Sequence, residues 1–541
     1  MFDEKSVVWI ARILASLLCA CFYFVATIKS VGALQQSGYN NKKFWKWLRQ
    51  ERNTYFSRLL FWTVLSVSST ALFIFVFFFL GEDVAMVMGG IPFLGFAVLF
   101  YFVDRKFALK VKTVKSKRWM RLSIFYCISI AVTAFVLIFL CSLLEGLLCM
   151  FAFGWICALR FLPLCFVPLI LPSVLTLTNA IVAPLERKNN QKFIKTAGQV
   201  LNESKIIKIG IVGSYGKTSV KNILNTLLSS RFKVVATPAS YNTPMGVAKT
   251  VGLEEFSDAE IMICEMGAKK VGDIKELCDM VQPDYIVFTG VCAQHVETFG
   301  DEETVFHAKC EALFSSAKLI VCGNDLKQRI LEKYPIESGK CRFVGNVEKL
   351  VLRADGSSFQ LPLSEGLTAV DTCLLGEAAA ENILLAATVA EELGLSASEI
   401  AERIALIEPV PHRLELMENN GVYILDDAYN CNVKGAKIAI DALKRFSGKK
   451  IIITPGIVET GVLQAEINGA LGEELARANL DKIVLVGETQ AKVIIEGFVK
   501  AGGDMDVMKV SPSLEHAVEL IKRELVPGDC ILFMNDLPDV I

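Results

Sequence analysis

Gly213-Ser-Tyr-Gly-Lys-Thr-Ser219 is the stretch of this chain whose residue types and spacing are best suited to chemistry. Gly213 and Gly216 let the backbone approach an anion, and Ser214 and Ser219 line the same turn. Lys217 offers a fixed cation to the β- and γ-phosphates of a nucleotide, and the Thr218 hydroxyl a ligand to Mg²⁺. A helix starting here adds unpaired N–H groups and a favourable dipole. The spacing departs from G-x-x-x-x-G-K-[ST], because Ile211 stands where the first glycine would be. A bare Gly-Lys-Thr also serves as a turn and helix cap. What favours phosphate is its setting, between the β-branched run Ile206–Val212, which reads as a buried strand, and the helical stretch Ser219–Leu228.

Other polar residues fall where an open α/β sheet gathers its ligands, at the carboxyl ends of strands. The run Ile261-Met-Ile-Cys264 leads into Glu265-Met-Gly267; alone, Glu265 reads as a solvated strand-end charge. His295, one of four histidines, lies in the loop Thr289–Glu297 after the strand Tyr285–Phe288, a position suited to a metal or a phosphate. Lys309 and Glu311 open a helix and read, singly, as an ordinary solvated pair.

The elements that must position these residues alternate. Lys233–Thr237 and Leu319–Val321 are further β-like runs separated by helical stretches, which argues a mostly parallel sheet with helices on both faces. A second α/β block begins near Pro409, with strands expected at Val422–Leu425, Lys450–Thr454, Lys482–Val486 and Cys530–Phe533. The expectation is a P-loop central domain over 206–408 and a Rossmann-like α/β domain over 409–541, behind a polar linker at 184–205.

Residues 1–183 are different. A 53% hydrophobic share and a mean hydropathy of +0.46 are high for a chain of 541 residues, and the excess is concentrated here. Apolar runs near 7–27, 59–80, 84–103, 122–143 and within 146–183 are each long enough to cross a bilayer core, about 20 residues. Arg12 interrupts the first run, which argues against a cleaved leader. Basic residues crowd two connecting segments, from Lys29 to Arg58 and from Arg105 to Arg121, whereas Gly81-Glu-Asp83 and Leu144-Glu-Gly146 have none. The positive-inside rule puts both basic segments in the cytoplasm. Five spans then deliver the α/β domains to the cytoplasm and make an α-helical, multi-pass transmembrane domain of the cytoplasmic membrane. The basic loops read as topology determinants beside anionic lipid rather than as a nucleic-acid surface, so no nucleic acid is expected as a partner. Among 16 cysteines no Cys-x-x-Cys pair occurs, which supports neither a disulfide framework nor a zinc site.

In this order and spacing, Gly213–Ser219, Ser240–Gly246, Glu265–Ala268, Thr289–Glu297, Ala308–Glu311, His412–Glu415 and the segment 426–430 resemble the Mur ligase family. Within it they are most similar to the branch that adds D-alanyl-D-alanine to a muramoyl tripeptide during peptidoglycan synthesis. The resemblance covers about residues 206–535. It implies an ATP-dependent carboxylate–amine ligase that makes an acyl phosphate and lets an amine displace phosphate. Lys217 would hold the ATP phosphates; Thr218, Glu265 and His295 would hold magnesium; and Lys309 would be carbamylated into a further magnesium ligand. Asn242 would lie near the acyl phosphate. Arg413 would reach the phosphates, and Asp427, Tyr429 and Asn430 would line the nucleotide.

Three departures accompany it. Gly376-Glu-Ala-Ala-Ala-Glu-Asn382 stands where Gly-x-His-Asn-x-x-Asn is usual, so only Gly376 and Asn382 remain for the nucleotide. Phe533-Met-Asn-Asp536 replaces an expected Lys-Gly-Ser. The apolar segment takes the place of a small uridine-binding domain. The acceptor is accordingly open between a soluble muramoyl peptide, a lipid-linked precursor and another carboxylate polymer, and membrane lipid is an expected partner. Other readings are a folylpolyglutamate or poly-γ-glutamate type of ligase, a transporter and a non-catalytic membrane scaffold. Against a transporter, no ABC-type signature is present.

Overall fold

The computed structural model describes residues 4–49, 113–149, 167–292, 299–429, 431–458, 460 and 463–535, with isolated positions between 59 and 102. It divides into two compact units, residues 1–189 and 190–538.

The first unit is helical. Its described elements are α1 (Glu4–Gln36), α2 (Asn41–Leu48), α3 (Lys117–Cys149) and the start of α4 (Val167–Glu203). At 1.5 Å per residue, a helix the length of α1 or α3 extends about 50 Å, more than the ~30 Å of a bilayer core. Two described helical segments, Lys117–Leu140 and Leu169–Glu203, are long and apolar enough to cross a membrane. Ile124, Ile128, Val132, Val136 and Leu140 on α3 and Leu177 and Ile181 on α4 are exposed. Polar groups pair inside instead. The Thr27 and Tyr126 hydroxyls are 3.1 Å apart, Arg121 donates twice to Glu186 at 2.6 and 2.8 Å, and Asn179 Nδ2 reaches both the Tyr39 carbonyl and Asn41 Oδ1. The expected spans at 59–80 and 84–103 lie almost wholly outside the described residues. The stretch 184–203, expected as a linker, is helical: α4 carries Pro172 and Pro184 within it and continues to Glu203.

The second unit begins with an alternation of strands and helices: β1 (Ile207–Val212), α5 (Lys217–Leu228), β2 (Val234–Ala236), α6 (Pro244–Val251), β3 (Ile261–Glu265), α7 (Asp273–Val281), β4 (Tyr285–Phe288), α8 (Glu302–Cys310), β5 (Leu319–Gly323), α9 (Lys327–Lys333) and β6 (Cys341–Val344). The six strands form one parallel sheet in the order β2-β3-β1-β4-β5-β6. β1 is central and fully apolar over Ile209–Val212, as a strand covered on both faces requires. On one face Ile209 and Ile211 pack with Val220, Leu224 and Leu227 of α5; on the other Val212, Met262 and Phe288 pack with Ile274 and Leu277 of α7.

A small antiparallel sheet follows, β7 (Glu348–Leu352), β8 (Ser357–Leu363) and β9 (Gly366–Thr372). The sequence reading did not anticipate it, although Phe359, Leu361 and Leu363 alternate into the core at strand period. Helices α10 (Glu377–Glu392) and α11 (Ala397–Ile404) complete this half. The last block contains β10 (Glu415–Asn419), β11 (Val422–Asp427), α12 (Val433–Leu443), β12 (Lys450–Thr454), α13 (Gln464–Arg477), β13 (Lys482–Val486), α14 (Ala491–Lys500), β14 (Met508–Ser511), α15 (Leu514–Lys522) and β15 (Cys530–Met534). Its sheet runs β10-β11-β15-β12-β13-β14, parallel except for the unanticipated edge hairpin strand β10.

Candidate functional site

The site grows from the turn between β1 and α5. Gly213 takes φ +149° and Gly216 φ +75°. A Cβ on Gly213 would stand 2.0 Å from the Thr289 hydroxyl, and one on Gly216 2.6 Å from Asn382 Oδ1, so both positions exclude other residues on space as well as conformation. Gly216 caps α5 without a side chain, which leaves the first N–H groups of the helix for an anion. The helix starts at Lys217, two residues before the expected Ser219. Lys217 Nζ folds onto the turn, donating to the Gly213 carbonyl at 2.8 Å and the Ser214 carbonyl at 3.2 Å. Burial lowers its pKa, and Arg413 adds to this against the opposing pull of Glu265.

Parallel pairing of β1 with β3 sets Ile211 opposite Glu265, and so brings the carboxylate to the mouth of the turn. Glu265 is not a solvated strand-end charge: it is 2% exposed. Thr218 Oγ1 donates to its Oε2 at 2.9 Å, and Asn242 Nδ2 to its Oε1 at 3.2 Å. Lys221 Nζ, which the sequence reading passed over, lies 3.4 Å from Oε2. The signal was a lysine on the inward side of α5, one turn beyond Thr218, where an apolar residue is usual.

Lys309 and Glu311 do not form the solvated pair their spacing suggested. Glu311 turns away and accepts the Gly272 and Lys275 N–H groups at the start of α7. Lys309 is 4% exposed. Burial, reinforced by Lys217, brings its pKa down to about 7. Its amine lines a cavity of about 220 Å³ with Lys217, Asn242 and Asp273.

The last block adds residues to the opposite wall of the cradle. Arg413 lies 4.2 Å over the Tyr429 ring, and the Tyr429 hydroxyl is hydrogen-bonded to Ser240, two residues from Asn242. The backbone turns sharply here, with His412 at φ +62° and Leu414 at φ +51°. Asp427 accepts the Leu414 N–H at 3.1 Å; burial raises its pKa to about 7 despite Arg413. A second cavity, of about 140 Å³, is lined by Ser219, Ala378, Ala379, Asn382, Arg413 and Asp427 among others. Lys434, also unanticipated, bonds Glu381 at 2.9 Å and lies over the Tyr215 ring, joining α12 to α10 and to the cradle. Asn535, at the position of the absent Lys-Gly-Ser, is buried; its amide donates to the Gly456 carbonyl and its oxygen accepts the Cys431 N–H. His295 and Asn430 lie outside the described residues.

Among the described residues no group of three His, Cys, Asp or Glu side chains is placed to hold a metal. Thr218 and Glu265 still offer two hard oxygen ligands beside the phosphate cradle. That fits Mg²⁺, which takes one or two carboxylates and fills its shell with phosphate oxygens and water.

The turn and the buried carboxylate define a P-loop α/β protein whose second α/β domain borders the cavity beside that turn. The chain belongs to the Mur ligase family: residues 211–390 match the Mur ligase middle domain, and 412–535 the Mur ligase, glutamate ligase domain. Members of this family are ATP-dependent, ADP-forming ligases, and this chain is an enzyme of that type. Among its relatives, the UDP-N-acetylmuramoyl-tripeptide–D-alanyl-D-alanine ligase of Synechocystis is 28% identical over 339 residues, 60% of this chain and 70% of that protein. The Bacillus subtilis enzyme of the same name is 25% identical over 336 residues, 60% of this chain and 72% of its own. The fold is shared with MurF from Acinetobacter baumannii, with TM-score 0.58, 22% identity and coverage of 64% and 77% of the two chains. It is shared equally with MurF ligase from Thermotoga maritima in complex with ADP, at TM-score 0.57, 24% identity and coverage of 65% and 81%.

Proposed function

We propose that this protein is a membrane-anchored ligase of peptidoglycan precursor synthesis that joins an amine, D-alanyl-D-alanine, to the carboxylate of a muramoyl peptide. The observation that carries the reading is the buried Glu265 carboxylate, held by Thr218 on the phosphate side and by Asn242 on the cavity side. It stands between a nucleotide cradle and a cavity lined by lysines, as a two-substrate phosphoryl-transfer site requires.

The acceptor carboxylate attacks the γ-phosphorus of ATP. The bond from that phosphorus to the β–γ bridging oxygen breaks, ADP leaves, and an acyl phosphate forms. The amine then attacks the acyl carbon, phosphate departs, and the amine proton is lost to give the amide. Most of the work is bringing two anions together, so it is positional and electrostatic. Lys217 and the first N–H groups of α5 take the polyphosphate charge. Arg413, on the sharply turned segment 412–414, reaches toward the same phosphates, and Asn242 orients the acyl phosphate. Thr218 and Glu265, with His295, would hold Mg²⁺, which when bound supplies charge neutralisation between nucleotide and carboxylate. Lys309 suits carbamylation: an amine with a pKa near 7 is substantially neutral at physiological pH, the form that adds CO₂. The names of the curated relatives support the choice of substrates.

The exposed apolar faces of α3 and α4 support membrane anchoring, and the basic connecting segments support a cytoplasmic orientation of the ligase domains. They also favour a second reading of the acceptor, a lipid-linked precursor met at the bilayer. The test uses purified full-length protein with ATP, Mg²⁺, D-alanyl-D-alanine and either soluble or lipid-linked muramoyl peptide. Amide formation with at least one acceptor is expected, and ATP turnover that needs no carboxylate–amine pair would overturn the ligase assignment. Stimulation by the soluble acceptor alone would sink the lipid-linked reading.

A further inference from the structure

Lys221 has no part in the reaction above, yet it is 3% exposed and lies in the middle of the site. Its ammonium donates to the Ala239 carbonyl and stands 3.4 Å from Glu265 Oε2, the oxygen that also takes the Thr218 hydroxyl. Ala239 is at φ +44°, a left-handed conformation unfavourable for alanine, in the loop that carries Ser240 and Asn242. One buried cation therefore ties together the phosphate-binding helix, the carboxylate and a strained loop. A buried lysine is retained only where its charge is compensated, and here the compensating group is the proposed metal ligand.

That pairing has a consequence for a divalent ion. The Glu265 carboxylate acts electrostatically on Lys217, Lys221 and Arg413. A divalent ion arriving without nucleotide would find a carboxylate already paired with Lys221 and cations close around it. A polyphosphate reverses this balance, because it brings negative charge of its own into the cradle.

We infer that Lys221 is a positioning residue that holds Glu265 and the Asn242 loop in one geometry, and that its charge makes divalent-metal binding depend on prior binding of a nucleotide polyphosphate. The inference rests on the nucleotide–metal reading of the site. It is tested by titrating the full-length protein with Mn²⁺, followed by electron paramagnetic resonance, with and without a non-hydrolysable ATP analogue. Wild type is expected to take Mn²⁺ tightly only with the analogue. Lys221→Met, which keeps the length and removes the charge, is expected to bind Mn²⁺ alone at least tenfold more tightly. Its kcat should fall while KM for ATP changes less than threefold, and Lys221→Arg should keep the nucleotide dependence. Should Lys221→Met fail to fold, Lys221→Gln carries the same expectation. Unchanged or weaker nucleotide-free Mn²⁺ binding in a variant with the wild-type melting temperature overturns the role of Lys221 alone. Failure of wild type to take Mn²⁺ even with the analogue overturns the nucleotide–metal reading, and this inference with it.

Discussion

The helical unit and the α/β unit sort their side chains in opposite ways. In the α/β unit the strands bury unbroken apolar runs, such as Ile261–Cys264, and the site holds Glu265, Lys221 and Lys309 nearly inaccessible. In the helical unit α3 turns Ile124, Ile128, Val132 and Val136 outward, while Thr27, Asn179 and Glu186 are inside and hydrogen-bonded. Under the proposed membrane anchoring, the difference matches the solvent that each unit would face. A water-soluble surface gains nothing from a continuous row of exposed Ile and Val, whereas hydrocarbon tolerates it and drives polar groups inward to partners.

The sharpest division between the units is expected from Lys217→Ala. ATP turnover should fall by roughly 10³-fold, the scale of losing a principal charge stabiliser in the transition state. The fraction of protein recovered in membranes should not change. Loss of membrane recovery along with activity would break the separation drawn here.

Ile128→Asp on the exposed face of α3 is expected to do the reverse. It should cost about 3 kcal/mol of membrane insertion, seen as a lower membrane-fraction yield with normal specific activity in what remains. The matching change in the α/β unit, Leu331→Asp, also starts from an exposed side chain but should shift stability by no more than about 0.5 kcal/mol in chemical denaturation. Equal effects at the two positions would mean that both units face water.

A smaller effect concerns the charges inside the site. The Lys309 pKa is about 7 in the fold against an ordinary 10.5, so from about pH 7 to 10.5 the unfolded chain holds a proton that the native chain lacks. Lys309 therefore adds stability as pH rises through that window. Asp427 acts oppositely: with its pKa raised to about 7 from 3.8, the native chain holds the extra proton, and stability falls as pH rises toward 7. Their combined contribution has its minimum near pH 7. Melting temperature measured from pH 5 to 9.5 in CO₂-free buffer should show a flattened alkaline limb in Lys309→Met and a flattened acid limb in Asp427→Asn.

A purely local effect is expected from Ser396→Ala. Ser396 and Glu399 form a reciprocal capping box at the start of α11, and losing it should cost about 1 kcal/mol in denaturant, an ordinary value for a helix in water.

Much of this protein was legible from its residues in order. The cradle, the strand before it, the alternation that makes a parallel sheet and the apolar segments at the start are local signals, carried by residue type and short-range period. Lys217 and Thr218 stand in a local motif and Glu265 at a strand end, whereas Asn242, Lys309 and Arg413 stood out only through the family resemblance. What these residues do to one another was not legible. Glu265 read as solvated because a strand end looks the same whether or not a neighbouring strand and loop cover it; its burial follows from β1–β3 register and from Asn242, 23 residues away. Lys221 passed unnoticed because a lysine on a helix is ordinarily a surface residue, and only Glu265, 44 positions on, makes it an interior one. The three-stranded sheet β7–β9 was missed for a similar reason, since its strands pair with each other and take their apolar partners from α10. Sequence by itself determined which chemistry was available, because catalytic competence resides in side-chain type. Tertiary structure decided which charges are buried, paired or shifted, because desolvation and Coulomb energy depend on distances that the chain closes only when it folds.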